Sequence, residues 1–190
     1  MTSHSRAATV RSLSGPALRA LYRLQVEGAE LVPASGGVIF EIEGDGLLAI
    51  PVLKAVAPRP VHAIIDGALG QVLLGSSRAW AGDIPLDGLG FGAANAAIDL
   101  LRAGDAVAIL GETPPLGLLL AASGAQLQPV RITGASGRVP TDPPRPRARI
   151  GIVFEAPIHI SPIGDPYALA TVQQLSEQVR QARADARARR

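Results

Sequence analysis

Apolar and polar positions along the chain alternate between two rhythms. Short runs of β-branched residues mark strands, and runs with helical spacing follow them. Leu24–Glu27 reads as a short strand. Val38–Ile42, Val61–Ile65, Ala106–Leu110 and Leu127–Thr133 read as buried strands, and Arg149–Phe154 alternates in the manner of a half-exposed one. A further short strand is centred on Ile84, and Ile158–Ile160 extends the last one.

Helical spacing appears in ALRALYRLQV after Ser14-Gly15-Pro16, with Leu18, Leu21, Tyr22 and Gln25 on one face. It recurs in Leu47–Val56, interrupted at Pro51, and in Gly67–Arg78, Gly92–Ala103 and Leu116–Ser123. The last helix starts at Asp165-Pro166, with Leu169, Val172, Leu175 and Val179 as its inward stripe and its Arg-rich end outward or frayed. Gly134–Pro146 is rich in Gly and Pro and reads as a loop. Strands alternating with short helices predict an α/β fold: a mixed, mostly parallel sheet flanked by helices. There is no internal repeat.

Composition narrows the picture. A chain of 190 residues suits one domain with a substantial core. Residues 1–14 are expected to be disordered, 15–180 to form the domain, and 181–190 to be a basic tail. No apolar run reaches the ~18–20 residues of a spanning helix, and MTSHSRAATVRSLSG has no apolar signal core. The chain has no Cys, and its three His are scattered, which argues against a metal site; no cofactor is expected. Lys54 is the single lysine, a bias that fits a GC-rich, bacterial genome. The arginines cluster at Arg145, Arg147 and Arg149 and again from Arg180 to Arg190. Without interleaved aromatics, these clusters do not point to nucleic acid.

Candidate chemistry centres on VIFEIEGDGLLAIPVL, a strand, a tight turn and a helix. Such turns often carry function. Glu41, Glu43 and Asp45 crowd this one, with no His, Ser, Cys or Lys among them. Two readings stay open: the acids line a cleft, or they solvate a loop with Glu41 facing away from Ile42.

The order of fragments resembles the glycerolipid (lysophosphatidic acid, PlsC-like) acyltransferase family. The resemblance rests on Val26-Glu27-Gly28-Ala29-Glu30 with Leu31-Val32-Pro33, and on Leu48–Leu53 followed by Pro58-Arg59-Pro60-Val61. It continues through Gly82-Asp83-Ile84-Pro85-Leu86-Asp87, Leu100–Ile109, and Gly124-Ala125 with Pro129-Val130 and Ile132. It covers the chain from about Gln25 to the C-terminus and implies the PlsC-like fold.

The family's chemistry does not carry over. Its first motif is Asn-His followed by an Asp, with the His as general base and the Asp orienting it. Those positions fall here on Glu43, Gly44 and Ala49. The cation that ends the second motif is absent, since Gly88 follows Asp87. The third motif, Phe-Pro-Glu-Gly-Thr-Arg in the family, reads Leu110-Gly111-Glu112-Thr113-Pro114-Pro115, with no phosphate-binding Arg.

The resemblance therefore implies a catalytically degenerate homologue. Its expected partners are a lipid or acyl chain (from acyl-CoA or acyl-carrier protein), a membrane surface or a protein at a membrane. Its expected place is cytoplasmic, peripheral to the inner face of the membrane. Candidate substrate-binding residues are Glu43, Asp45, Gly111, Glu112 and Thr113. Two alternatives are an active acyltransferase with Asp45 or Glu43 as a replacement base, and a purely structural subunit of a membrane complex.

Overall fold

The computed structural model describes residues 15–44, 46, 48–66, 82–86, 90–110, 115–160 and 164–188. Seven strands form one sheet: β1 (Arg23–Glu27), β2 (Val38–Glu43), β3 (Val61–Asp66), β4 (Ile84–Leu86), β5 (Ala106–Leu110), β6 (Gln126–Thr133) and β7 (Arg149–Phe154). Their order is β1-β7-β6-β2-β5-β3-β4. All neighbours are parallel except β6 and β7. The mixed, mostly parallel sheet expected from the sequence is present.

Strand position follows side-chain pattern. β2 and β5 lie in the centre, covered on both faces, and are almost wholly apolar. β7 alternates between exposed and buried, and β1 at the edge is mostly exposed. Pro129 is tolerated within β6 because the ladder to β7 runs only over Val130–Thr133, so its missing N–H is not needed there.

One face of the sheet is covered by α1, helical over residues 15–21, and α2 (Ala49–Val56). Phe40, Leu53, Ile65, Ile150 and Phe154 fill this layer, with Phe40 and Phe154 edge-to-face at 6.0 Å. Leu18 of α1 and Tyr22 just after it pack onto it, whereas Leu21, expected on the same inward face, is half exposed. The chain turns from helix into strand at this point, so Leu21 leaves the helical stripe. Pro51 does not interrupt α2. It is the third helical residue, where the backbone N–H has no helical acceptor in any case.

The other face is covered by α3 (Phe91–Arg102), α4 (Leu116–Ser123) and α5 (Leu169–Ala188). α4 is apolar all round because it lies between the sheet and α5. A Cβ on Gly117 would stand 2.4 Å from the Val172 carbonyl oxygen, so glycine sets how closely α4 and α5 cross.

Leu175 and Val179 are buried as expected, but Leu169 is 71% exposed because it lies at the very start of α5. Residues 181–188, expected as a basic tail, instead continue α5. The helix expected over Gly67–Arg78 and the N-terminal segment 1–14 lie outside the described residues.

The connectivity creates one rim that matters for function. β2, β3, β4, β5 and β6 all end there. β7 runs antiparallel to β6, and β1 is parallel to β7, so both of these strands begin there.

At the β3–β4 edge a buried ion pair ties the layers together. Lys54 of α2 meets Asp83, whose side chain is only 2% exposed. The same Asp83 oxygen accepts the Ala63 N–H at 2.9 Å. Burial lowers the Lys54 pKa, and the charge and hydrogen bond of Asp83 offset this only in part. Removing one partner leaves a buried charge uncompensated. Lys54→Met is expected to lower stability by about 3–5 kcal/mol, and Lys54→Met with Asp83→Asn to recover most of the loss, both read by urea denaturation.

Candidate functional site

The rim of the sheet carries the strand-turn-helix that holds the candidate chemistry. Val38, Phe40 and Ile42 of β2 point into the layer beneath α1 and α2. Ile39 points to the opposite face, and strand alternation places Glu41 and Glu43 with it. Glu41 does face away from Ile42. Its side chain is 17% exposed and forms an ion pair with Arg183 of α5. Glu43, one position before the turn, is exposed. Asp45 lies outside the described residues, so the two acids placed by the structure are one neutralised under a helix and one at the surface.

The sequence reading placed Arg183 only in the basic C-terminal cluster, although a signal for its pairing was present. Leu175, Val179 and Arg183 follow at i, i+4 spacing, which stacks them on one helix face. The inward stripe of α5 thus ends in a cation, and that cation meets Glu41 on the strand below it.

Gly44 closes β2 with φ 139°. A Cβ built there would stand 2.2 Å from the Ile132 carbonyl oxygen of β6. The next part of the turn is as close: a Cβ on Gly46 would be 2.6 Å from the Ala135 carbonyl carbon, and Leu48 N–H donates to Ala135 O at 3.2 Å. The turn lies directly on the end of β6 and the residues after it. A side chain at position 44 would require this contact to open. Ala49 is fully buried in the apolar layer, at the start of α2. A carboxylate there would be desolvated among apolar groups. The positions that the resemblance assigns to a base and its orienting acid are held small and apolar by local packing.

The other candidates fall differently. Gly111, Glu112 and Thr113 lie outside the described residues, as does Gly88. His62, on β3, is fully buried, and its Nδ1 lies 2.8 Å from the Gly82 carbonyl oxygen. A carbonyl only accepts, so Nδ1 carries the proton and the ring anchors the segment entering β4. Arg59, within the Pro58-Arg59-Pro60 phrase, donates to the carbonyls of Pro33, Gly36 and Gly104. These phrases hold the scaffold together.

The sequence matches no protein-family model and no curated protein. Among solved structures, the fold matches the crystal structure of the 1-acyl-sn-glycerophosphate (LPA) acyltransferase PlsC from Thermotoga maritima. The match covers 96% of this chain and 80% of that one, at a TM-score of 0.65. The fold is that of PlsC. At 17% identity the likeness speaks for the fold alone. It agrees with the family resemblance in the sequence while leaving the chemistry of the PlsC-like rim to this chain's own residues.

Gly44→Ala tests the packing of the turn. The new Cβ meets backbone rather than a flexible side chain, at a φ that favours glycine. The expected cost is about 2–5 kcal/mol, measured by chemical denaturation.

Proposed function

We propose that this chain is a catalytically silent protein of the PlsC fold that acts by binding a lipid or its acyl chain at a membrane. The observation that carries the reading is the turn after β2. Gly44 supplies no base and leaves no room for one, with a Cβ there only 2.2 Å from Ile132 O. Ala49 supplies no orienting carboxylate. General-base removal of a hydroxyl proton needs a group within hydrogen-bond reach and with a suitable pKa. Glu43 is exposed at the end of β2 and does not stand at the position that the resemblance assigns to the base.

The choice of a lipid as ligand follows the likeness of the fold to the LPA acyltransferase PlsC. Among the described residues no helix is long and apolar enough to cross a membrane. Contact with lipid is therefore proposed at the surface of the fold, peripheral to the inner face of the membrane.

Purified protein, given lysophosphatidate with acyl-CoA or acyl-carrier protein, is expected to show no acyl transfer above the uncatalysed rate. Mass spectrometry of the same preparation is expected to find co-purified acyl lipid. Clear turnover, abolished by Glu43→Gln or Asp45→Asn, would overturn the reading in favour of a replaced base.

A further inference from the structure

The arginines singled out in the loop before β7 do not lie alone. Arg147 N–H donates to Leu21 O at 2.7 Å, and Arg23 N–H donates to Ala148 O at 2.9 Å. Tyr22 Oη donates to Pro144 O at 3.4 Å. These bonds join the end of α1 and the start of β1 to the loop. In the parallel β1–β7 ladder, Arg23 is the register partner of Arg149. Two like charges side by side on neighbouring strands repel unless an anion lies between or above them.

Arg19, Arg23, Arg145, Arg147 and Arg149 are all exposed, around a half-exposed Leu21. Among the described residues none of the five has a carboxylate partner. Asp142 is the nearest acid along the loop, and it too is exposed. Arg147 is also the one described non-glycine residue with positive φ, at 64°. A basic residue held in that uncommon conformation at an unpartnered cluster fits a surface shaped for a ligand.

Position adds the second argument. β1 and β7 begin at the rim where β2 and β6 end. A Cβ on Gly134, just after β6, would stand 2.5 Å from Arg149 O, so the basic cluster adjoins the end of β6. The turn at Gly44 lies against the Ile132 carbonyl of that same strand.

We propose that this cluster is the surface by which the chain docks on an anionic lipid bilayer, turning the rim of the sheet toward the lipid. Arginines attract acidic headgroups over a Debye length, and Leu21 among them offers an apolar contact with the interface. Nucleic acid fits less well, because no aromatic side chain stands exposed among the arginines to stack on a base. The inference is independent of what the rim binds.

The full chain is tested by co-sedimentation with vesicles of phosphatidylglycerol and phosphatidylcholine, against vesicles of phosphatidylcholine alone. Binding is expected to the anionic vesicles only and to fall as salt rises. Arg145→Ser with Arg149→Ser, both exposed positions, is expected to weaken partitioning roughly twenty-fivefold, at about fivefold per cation. Circular dichroism checks that the variant folds. Arg180→Ser, which removes an exposed cation of α5 paired with Glu177, serves as the control and is expected to change little. Equal binding to neutral vesicles, an equal loss in the control, or preference for a single-stranded RNA over the vesicles would each overturn the proposal. A protein that carries acyl lipid but ignores anionic vesicles would refute this docking surface and leave the proposed function standing.

Discussion

Where β2 ends, the backbone at Gly44 rests against the carbonyl of Ile132, and the character of the rim depends on that contact. A strand that ends this close to its neighbour has no space for a side chain there. The turn is then pinned by Gly46 and by the bond from Leu48 to Ala135, and α2 begins with Ala49 sunk into the core. The strand-turn-helix thus packs as a scaffold element. A reactive group at position 44 would need a different path of the backbone, and not merely a different residue.

Charge around the rim follows the same division between packing and surface. Glu41 is taken up by Arg183, so the last helix is fastened over the strand that would otherwise expose an acid. Lys54 and Asp83 neutralise each other at the far edge, where α2 meets the segment entering β4. Among the described residues, five exposed arginines without a carboxylate partner gather where β1 and β7 begin. A single antiparallel pair, β6 with β7, is responsible. Had β7 run parallel to β6, the loop arginines would lie at the opposite rim, away from the Gly44 turn.

Much of the fold was legible along the chain. Central strands announced themselves as unbroken apolar runs, because a parallel strand covered on both faces has no polar side to show. Helices such as Phe91–Arg102 and Leu116–Ser123 showed through spacing and flanking glycines. Leu21 and Leu169 misled, since a hydrophobic residue at an element's end satisfies the period yet has nothing to pack on. The arginines near the C-terminus misled in the other direction. Composition reads them as a tail, while tertiary contact makes one of them a partner of Glu41 and the segment a helix to Ala188.

The sequence by itself determined the class of fold, the order of its elements and which residues stand at the positions that the resemblance assigns to the motifs, because periodicity and residue identity are local properties. Only the tertiary structure decided that position 44 has no room for a side chain, that Glu41 is neutralised, and that arginines far apart in the chain share one surface. Each of these depends on the distance between strands and helices remote in sequence, and on the direction in which β7 crosses back along β6. No local pattern of residues encodes either one.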